Sequence, residues 1–196
     1  MKVSHSFAHL LTSQTRLKLI NLFFYTPGNL LYVRELVRAT GEEINSVRRE
    51  LQNLEKYSLI QKETRGNRLY YWANPGHFLY YDLIILAHKH AGLGALIQEN
   101  RLKLGKIKFL FYSQKFLHHS PNSGNDVDLI LVGDLSLKLV GDYIKTEETT
   151  LAREINYMVM SLDELRLRIS KRDPIMVDFF LNYPALIIGQ TTDLSK

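Results

Sequence analysis

Asn45, Arg49, Gln52 and Asn53 carry paired hydrogen-bond donors and acceptors, at spacings of four, three and one. On a helix those spacings place them on one side. Amide and guanidinium groups arranged in this way match the edges of base pairs, which the major groove of a duplex exposes to one inserted helix. Ser46 and Arg48 border that side and suit phosphate oxygens, as do Lys62, Arg65 and Arg68 further along. A different chemistry is offered by Asp126-Val127-Asp128 at the entrance to the apolar run Leu129-Ile130-Leu131-Val132. Residues two apart on a strand share a face, so the two carboxylates are expected side by side. They repel unless a cation lies between them, and Mg²⁺ is a hard ion that takes such oxygens. Metal-assisted phosphoryl or nucleotidyl transfer is the reaction they would serve.

The first group needs a helix to hold it. Ile44, Val47, Leu51 and Leu54 form one buried stripe over a helix from about Glu43 to Tyr57, with the donor-rich residues opposite. Upstream, Ser13 caps a helix whose Leu17, Leu19, Ile20, Leu22, Phe23 and Phe24 are apolar on nearly every side, and Pro27-Gly28-Asn29 stops it. A short helix over Tyr32 to Ala39 turns Val33, Leu36 and Val37 inward and closes on Gly41 as its C-cap. After Ser58 the period becomes two. Leu59 to Thr64 and Arg68 to Trp72, joined through Gly66, are a hairpin. Its alternation sends at least one of Tyr70, Tyr71 and Trp72 into the core. Three helices followed by a hairpin describe a winged helix-turn-helix, one helix for the groove and the wing beside it. Glu42, Glu43 and Glu50, on or near the third helix, would repel phosphate.

The carboxylate pair belongs to a different pattern. Asn74-Pro75-Gly76 ends the first unit, a helix covers Phe78 to His90, and Ala91-Gly92-Leu93-Gly94 breaks it before a helical segment to about Leu104. From Lys106 strands and helices alternate: strands at Ile107 to Tyr112, Val127 to Val132, Ile155 to Met160 and Ala185 to Ile188, helices at Leu135 to Lys145 and Leu162 to Ser170. The fold class expected is α+β: a winged helix-turn-helix over residues 1–76, connecting helices over 77–105 and a small α/β domain over 106–196.

Composition narrows the functions. The 196 residues allow one large domain or two small ones. The absence of cysteine excludes disulfide scaffolds, thiol nucleophiles, iron–sulfur clusters and cysteine-rich zinc sites. No apolar run approaches the ~18 residues of a membrane span, and no secretory leader is legible, so a cytoplasmic protein without a membrane partner is expected. Residues 1–105 hold 14 Lys+Arg against 8 Asp+Glu, whereas residues 106–196 hold 11 against 12. The positive field, and any polyanionic partner, therefore belongs to the first part. The neighbours His118 and His119 share no face, and His88 and His90 flank Lys89, so neither pair suits a metal.

Thr15-Arg16-Leu17-Lys18-Leu19-Ile20, Val33-Arg34-Glu35-Leu36, the helix from Ile44 to Leu54 and Leu59-Ile60 leading to Arg65-Gly66-Asn67-Arg68 together resemble the ArsR-like winged-helix regulators, over residues 8 to 74. That resemblance implies a homodimer on double-stranded DNA acting in transcription. Metal-sensing cysteines are absent. Phe111-Tyr112-Ser113, Asp126-x-Asp128 and Arg153-Glu154-Ile155-Asn156-Tyr157, with Ser161-Leu162-Asp163-Glu164-Leu165 and Lys171-Arg172-Asp173-Pro174, resemble a minimal nucleotidyltransferase domain of the DNA polymerase-beta superfamily, over residues 106 to 189. This second resemblance implies Asp126 and Asp128 as metal ligands, Glu154 as a third catalytic carboxylate and Ser113 in the turn that holds a nucleoside triphosphate. The family has Gly-Ser at that turn, and here Tyr112 stands at the glycine position. Three functions follow: a DNA-binding transcriptional regulator with a degenerate nucleotidyltransferase-like domain, a Mg²⁺-dependent nucleotidyltransferase recruited by its winged helix, or a protein-interaction module with both halves inactive.

Overall fold

The computed structural model describes residues 13–121, 126–190 and 192. The chain forms two compact units, Met1–Ala91 and Gly92–Lys196, so the residues expected to connect two domains are shared between them. The architecture is mixed α and β throughout.

In the first unit, α1 (Gln14–Tyr25) begins where the Ser13 hydroxyl accepts the Arg16 N–H at 3.2 Å. Its Leu17, Leu19, Ile20, Phe23 and Phe24 are all buried, as an apolar perimeter requires. A two-residue strand, β1 (Leu31–Tyr32), leads into α2 (Val33–Thr40). Gly41 follows at φ 66, ψ 18 and donates its N–H to the Val37 carbonyl at 2.9 Å, the left-handed cap anticipated from the sequence. α3 (Ile44–Lys56) buries Val47, Leu51 and Leu54 against this core. Each such side chain contributes roughly 1.5–3 kcal/mol by leaving water. The hairpin is β2 (Ile60–Arg65) and β3 (Arg68–Ala73), with β3 central between β1 and β2 in an antiparallel sheet. Tyr71 is the residue of the aromatic triplet that enters the core. α4 (Tyr80–His90) packs on α1, where His88 is a core residue against the Tyr25 ring at 4.5 Å. Three helices and a wing in this order are a winged helix-turn-helix arrangement.

The second unit opens with α5 (Gly92–Glu99) and α6 (Arg101–Leu104). Its sheet consists of β4 (Gly105–Tyr112), β5 (Leu129–Leu135), β6 (Tyr157–Met160) and β7 (Ala185–Ile188), in the order β6-β5-β4-β7. Only β5 and β6 run parallel. Between the strands lie α7 (Gln114–Leu117), α8 (Leu137–Leu151), α9 (Leu162–Ser170) and α10 (Pro174–Leu181). Phe109, Phe111, Ile130 and Val132 pack one face of the sheet on Leu165, Met176 and Phe179 of α9 and α10. The alternate residues Leu110, Tyr112, Leu129 and Leu131 are equally buried, so the sheet is covered on both sides. Gly133 sits at φ 154 where a Cβ would meet the Lys106 carbonyl, which is why β4 and β5 can close there. The short β1, α7 and α10 were not anticipated. Among the described residues no helix is long and apolar enough to cross a membrane.

Candidate nucleic-acid interface

The outward side of α3 is set by what its inward side buries. With Val47, Leu51 and Leu54 turned in, Asn45, Arg48, Arg49 and Gln52 are exposed together. Lys56 completes the stripe, one helical turn beyond Gln52 and two beyond Arg49, and is exposed too. The sequence reading missed it, although the period itself pointed there. Arg48 and Arg49 have no ion-pair partner among the described residues. Ser46 and Asn53 are half-buried at the border of the stripe, and the Asn53 amide donates to Glu50 Oε2 at 3.3 Å. Asn53 is therefore turned from the centre of the face.

The three glutamates expected to repel phosphate do something else, and this corrects the sequence reading. Glu50 is only 3% exposed and faces α1, where it accepts from Ser13 Oγ at 2.9 Å and from Arg16 Nε at 2.8 Å. Burial works to raise its pKa, but the hydrogen bonds from Ser13, Arg16 and Asn53 outweigh that and hold it below the usual carboxylate range. Glu42 is tied to Lys18 at 2.6 Å, and that hydrogen bond lowers its pKa as well. Glu43 caps α3, accepting the Asn45 and Ser46 N–H groups at 2.8 and 3.1 Å. None of the three leaves an unengaged anion on the outer face.

The wing carries its cations in pairs. Lys62 reaches Glu55 at 2.7 Å, and the hydrogen bond from that contact raises the lysine's pKa. Arg65 sits 3.0 Å from Glu63. Arg68 lies over the Tyr32 ring at 4.6 Å, and its hydrogen bond with Tyr70 leads the causes that raise its pKa. All three side chains are exposed.

The residues singled out for metal chemistry are placed differently. Asp126 to Asp128 lie before β5 rather than on it, so strand alternation does not set their directions. Asp128 is fully buried: its Oδ1 accepts from Arg153 Nη2 and its Oδ2 from the Asn156 N–H, both at 3.0 Å. Asp126 pairs with Lys115 at 2.7 Å. Glu154 is exposed beside Arg153. Asp126 and Asp128 are each matched to a cation, and the described residues contain no group of three His, Asp or Glu able to hold a metal ion. Ser113 caps α7, accepting the Phe116 N–H at 3.1 Å. Tyr112 is wholly buried, edge-on to Phe116 at 5.0 Å, and burial raises its phenol pKa. Burial pushes His119 down to about 4, with Arg153 and His118 adding to it. A cleft of about 690 Å³ is lined by Ser113, Lys115, Asp126 and residues of α10; it reaches Asp126 but not Asp128.

No protein-family model matches the chain. No curated protein matches it. Among solved structures, the chain is similar to a homodimeric winged helix-turn-helix DNA-binding domain from Mycobacterium bovis, titled a possible ArsR-family transcriptional regulator. Identity is 21% over 51% of this chain and 91% of that one, with a TM-score of 0.33. It is also similar to the ferric uptake regulator of Francisella tularensis with iron, at 12% identity over 77% of this chain and 89% of that one, TM-score 0.31. Both likenesses are too weak to add to what the chain's own geometry carries.

Proposed function

We propose that this protein is a DNA-binding transcriptional regulator whose first unit, a winged helix-turn-helix of the ArsR-like kind, docks α3 in the major groove of double-stranded DNA as part of a homodimer. The single observation carrying this is the outer face of α3: Asn45, Arg48, Arg49, Gln52 and Lys56 are exposed together while every glutamate of that region is occupied. Asn45, Arg49 and Gln52 read base edges, with Asn53 at the margin once it leaves Glu50. Ser46 and Arg48 hold phosphates, and Lys62, Arg65 and Arg68 reach the backbone by exchanging their present partners for it. Arg49→Ala is expected to weaken duplex binding by roughly 1–3 kcal/mol and to relax preference at one base pair. Binding unchanged in that variant, measured by fluorescence anisotropy, removes Arg49 from the reading face.

One observation favours a second reading, a nucleotidyltransferase using Asp126, Asp128 and Glu154 with Mg²⁺ and a nucleoside triphosphate at Ser113: the cleft that Ser113 and Asp126 line. Against it stands the double engagement of Asp128. Incubation with labelled nucleoside triphosphates and Mg²⁺ separates the two. Transfer that Asp128→Asn abolishes supports the enzyme, and no transfer leaves the second unit as an inactive appendage to the regulator.

A further inference from the structure

The cations of the wing are matched to carboxylates or aromatic rings, whereas a second set in the same unit is not. Arg34 and Arg38 stand four apart on α2, both exposed, neither with an ion-pair partner among the described residues. At that spacing they share a face of the helix. With Tyr32, Val37 and Ile44 they line a cavity of about 410 Å³ between α2 and the first turn of α3. The acids nearby are each engaged elsewhere: Glu35 accepts the Tyr32 N–H at 3.1 Å, Glu42 holds Lys18, and Glu43 caps α3. Ile44, which lines the cavity, immediately precedes Asn45, the first residue of the reading stripe. No sequence argument assigned it.

We infer that this cavity seats a phosphodiester of the DNA backbone, with Arg34 and Arg38 as its two donors, and that it anchors the duplex more strongly than the wing does. This rests on the reading of α3 as the groove helix. A guanidinium offers a planar fork of donors that matches phosphate oxygens. A cation with no carboxylate partner gives up only water and counterions on binding, so the full counterion release appears in the affinity. Lys62 and Arg65 must first leave Glu55 and Glu63, and each abandoned carboxylate then takes up a cation from solution. Their net release is smaller for that reason.

The test is the salt dependence of duplex binding by the full chain, its Arg34→Gln, Arg38→Gln and double variants, Lys62→Gln in the wing, and Arg166→Gln in the second unit as control. Each phosphate lost lowers the slope of log affinity against log salt by about 0.9. The double variant should lose about 1.8 of slope if each arginine neutralises its own phosphate, and about 0.9 if they share one. The loss should be alike on every duplex sequence. Lys62→Gln should change the slope less than either arginine variant, and Arg166→Gln not at all. A parent that binds with an unchanged slope in the double variant overturns the phosphate seat and leaves the groove helix standing. A parent that binds no duplex at 50 mM salt or below, roughly where such contacts are strongest, overturns both.

Discussion

Both units pair carboxylates with arginine or lysine, and the outcome differs. In the first, Glu50 and Glu42 are drawn onto Arg16 and Lys18, and Arg48, Arg49 and Lys56 are left outside on one helix face. In the second, Arg153 and Lys115 are drawn onto Asp128 and Asp126 at the very place where the sequence offered a metal site. The same pairing chemistry therefore clears anions from one surface and neutralises the other. Net charge by half-chain hinted at this. Which charges survive at the surface is decided by burial, which a count does not contain.

The largest effect is expected at Asp128. If it is a structural clasp, Asp128→Ala strands Arg153 half-buried and costs the second unit about 3–5 kcal/mol, read as a lower unfolding midpoint. An unchanged midpoint would mean the carboxylate is available to a ligand after all.

Acid should move the two units in opposite directions. Glu147, 4% exposed on α8, accepts the Leu93 N–H at the start of α5, yet desolvation pushes its pKa up to about 7. A raised carboxyl stabilises below its unfolded value near 4.5 and loses that contribution as pH climbs through 7. Glu147→Gln should thus stabilise the second unit at pH 8, on the order of 2–3 kcal/mol, and flatten its pH profile. Glu50 has the opposite sign. Its lowered pKa stabilises the first unit above the ordinary value of 4.5, and that contribution fades as pH falls below it. Glu50→Ala should cost about 1–3 kcal/mol at pH 7 and remove this acid sensitivity. Trp72, the single tryptophan, reports the first unit by fluorescence, while circular dichroism reports both. Parallel pH responses in the two signals would contradict the contrast. The smallest effect is expected at Gly41, where Ala strains a left-handed cap in open space and costs about 1 kcal/mol of melting stability.

Local periodicity made most of the fold legible. The stripe Ile44, Val47, Leu51 and Leu54 located α3 to within a residue at each end, and Ser13 and Gly41 marked true caps. α10 was missed although Asp173 and Pro174 form a helix-start signature, with Asp173 accepting the Ile175 N–H at 2.9 Å. β1 has two residues, too few for any period. The site was less legible because its decisive partners are remote. Glu50 meets Ser13 and Arg16 across 37 and 34 residues, and Asp128 meets Arg153 across 25. The sequence set Glu50 against phosphate because nothing local shows that Ser13 and Arg16 satisfy it on the buried side. At Asp128 the error was local too, since alternation was applied to residues that precede the strand.

Whether the outer face of α3 enters a duplex is read by amide hydrogen exchange on the full chain with and without a mixed-sequence duplex at low salt. Added protection is expected along α3 and α2, centred on Arg49 and reaching Arg34, with the second unit unchanged. Protection confined to the cleft around Ser113 and Asp126, or none anywhere in α3, would contradict entry of that face into the duplex.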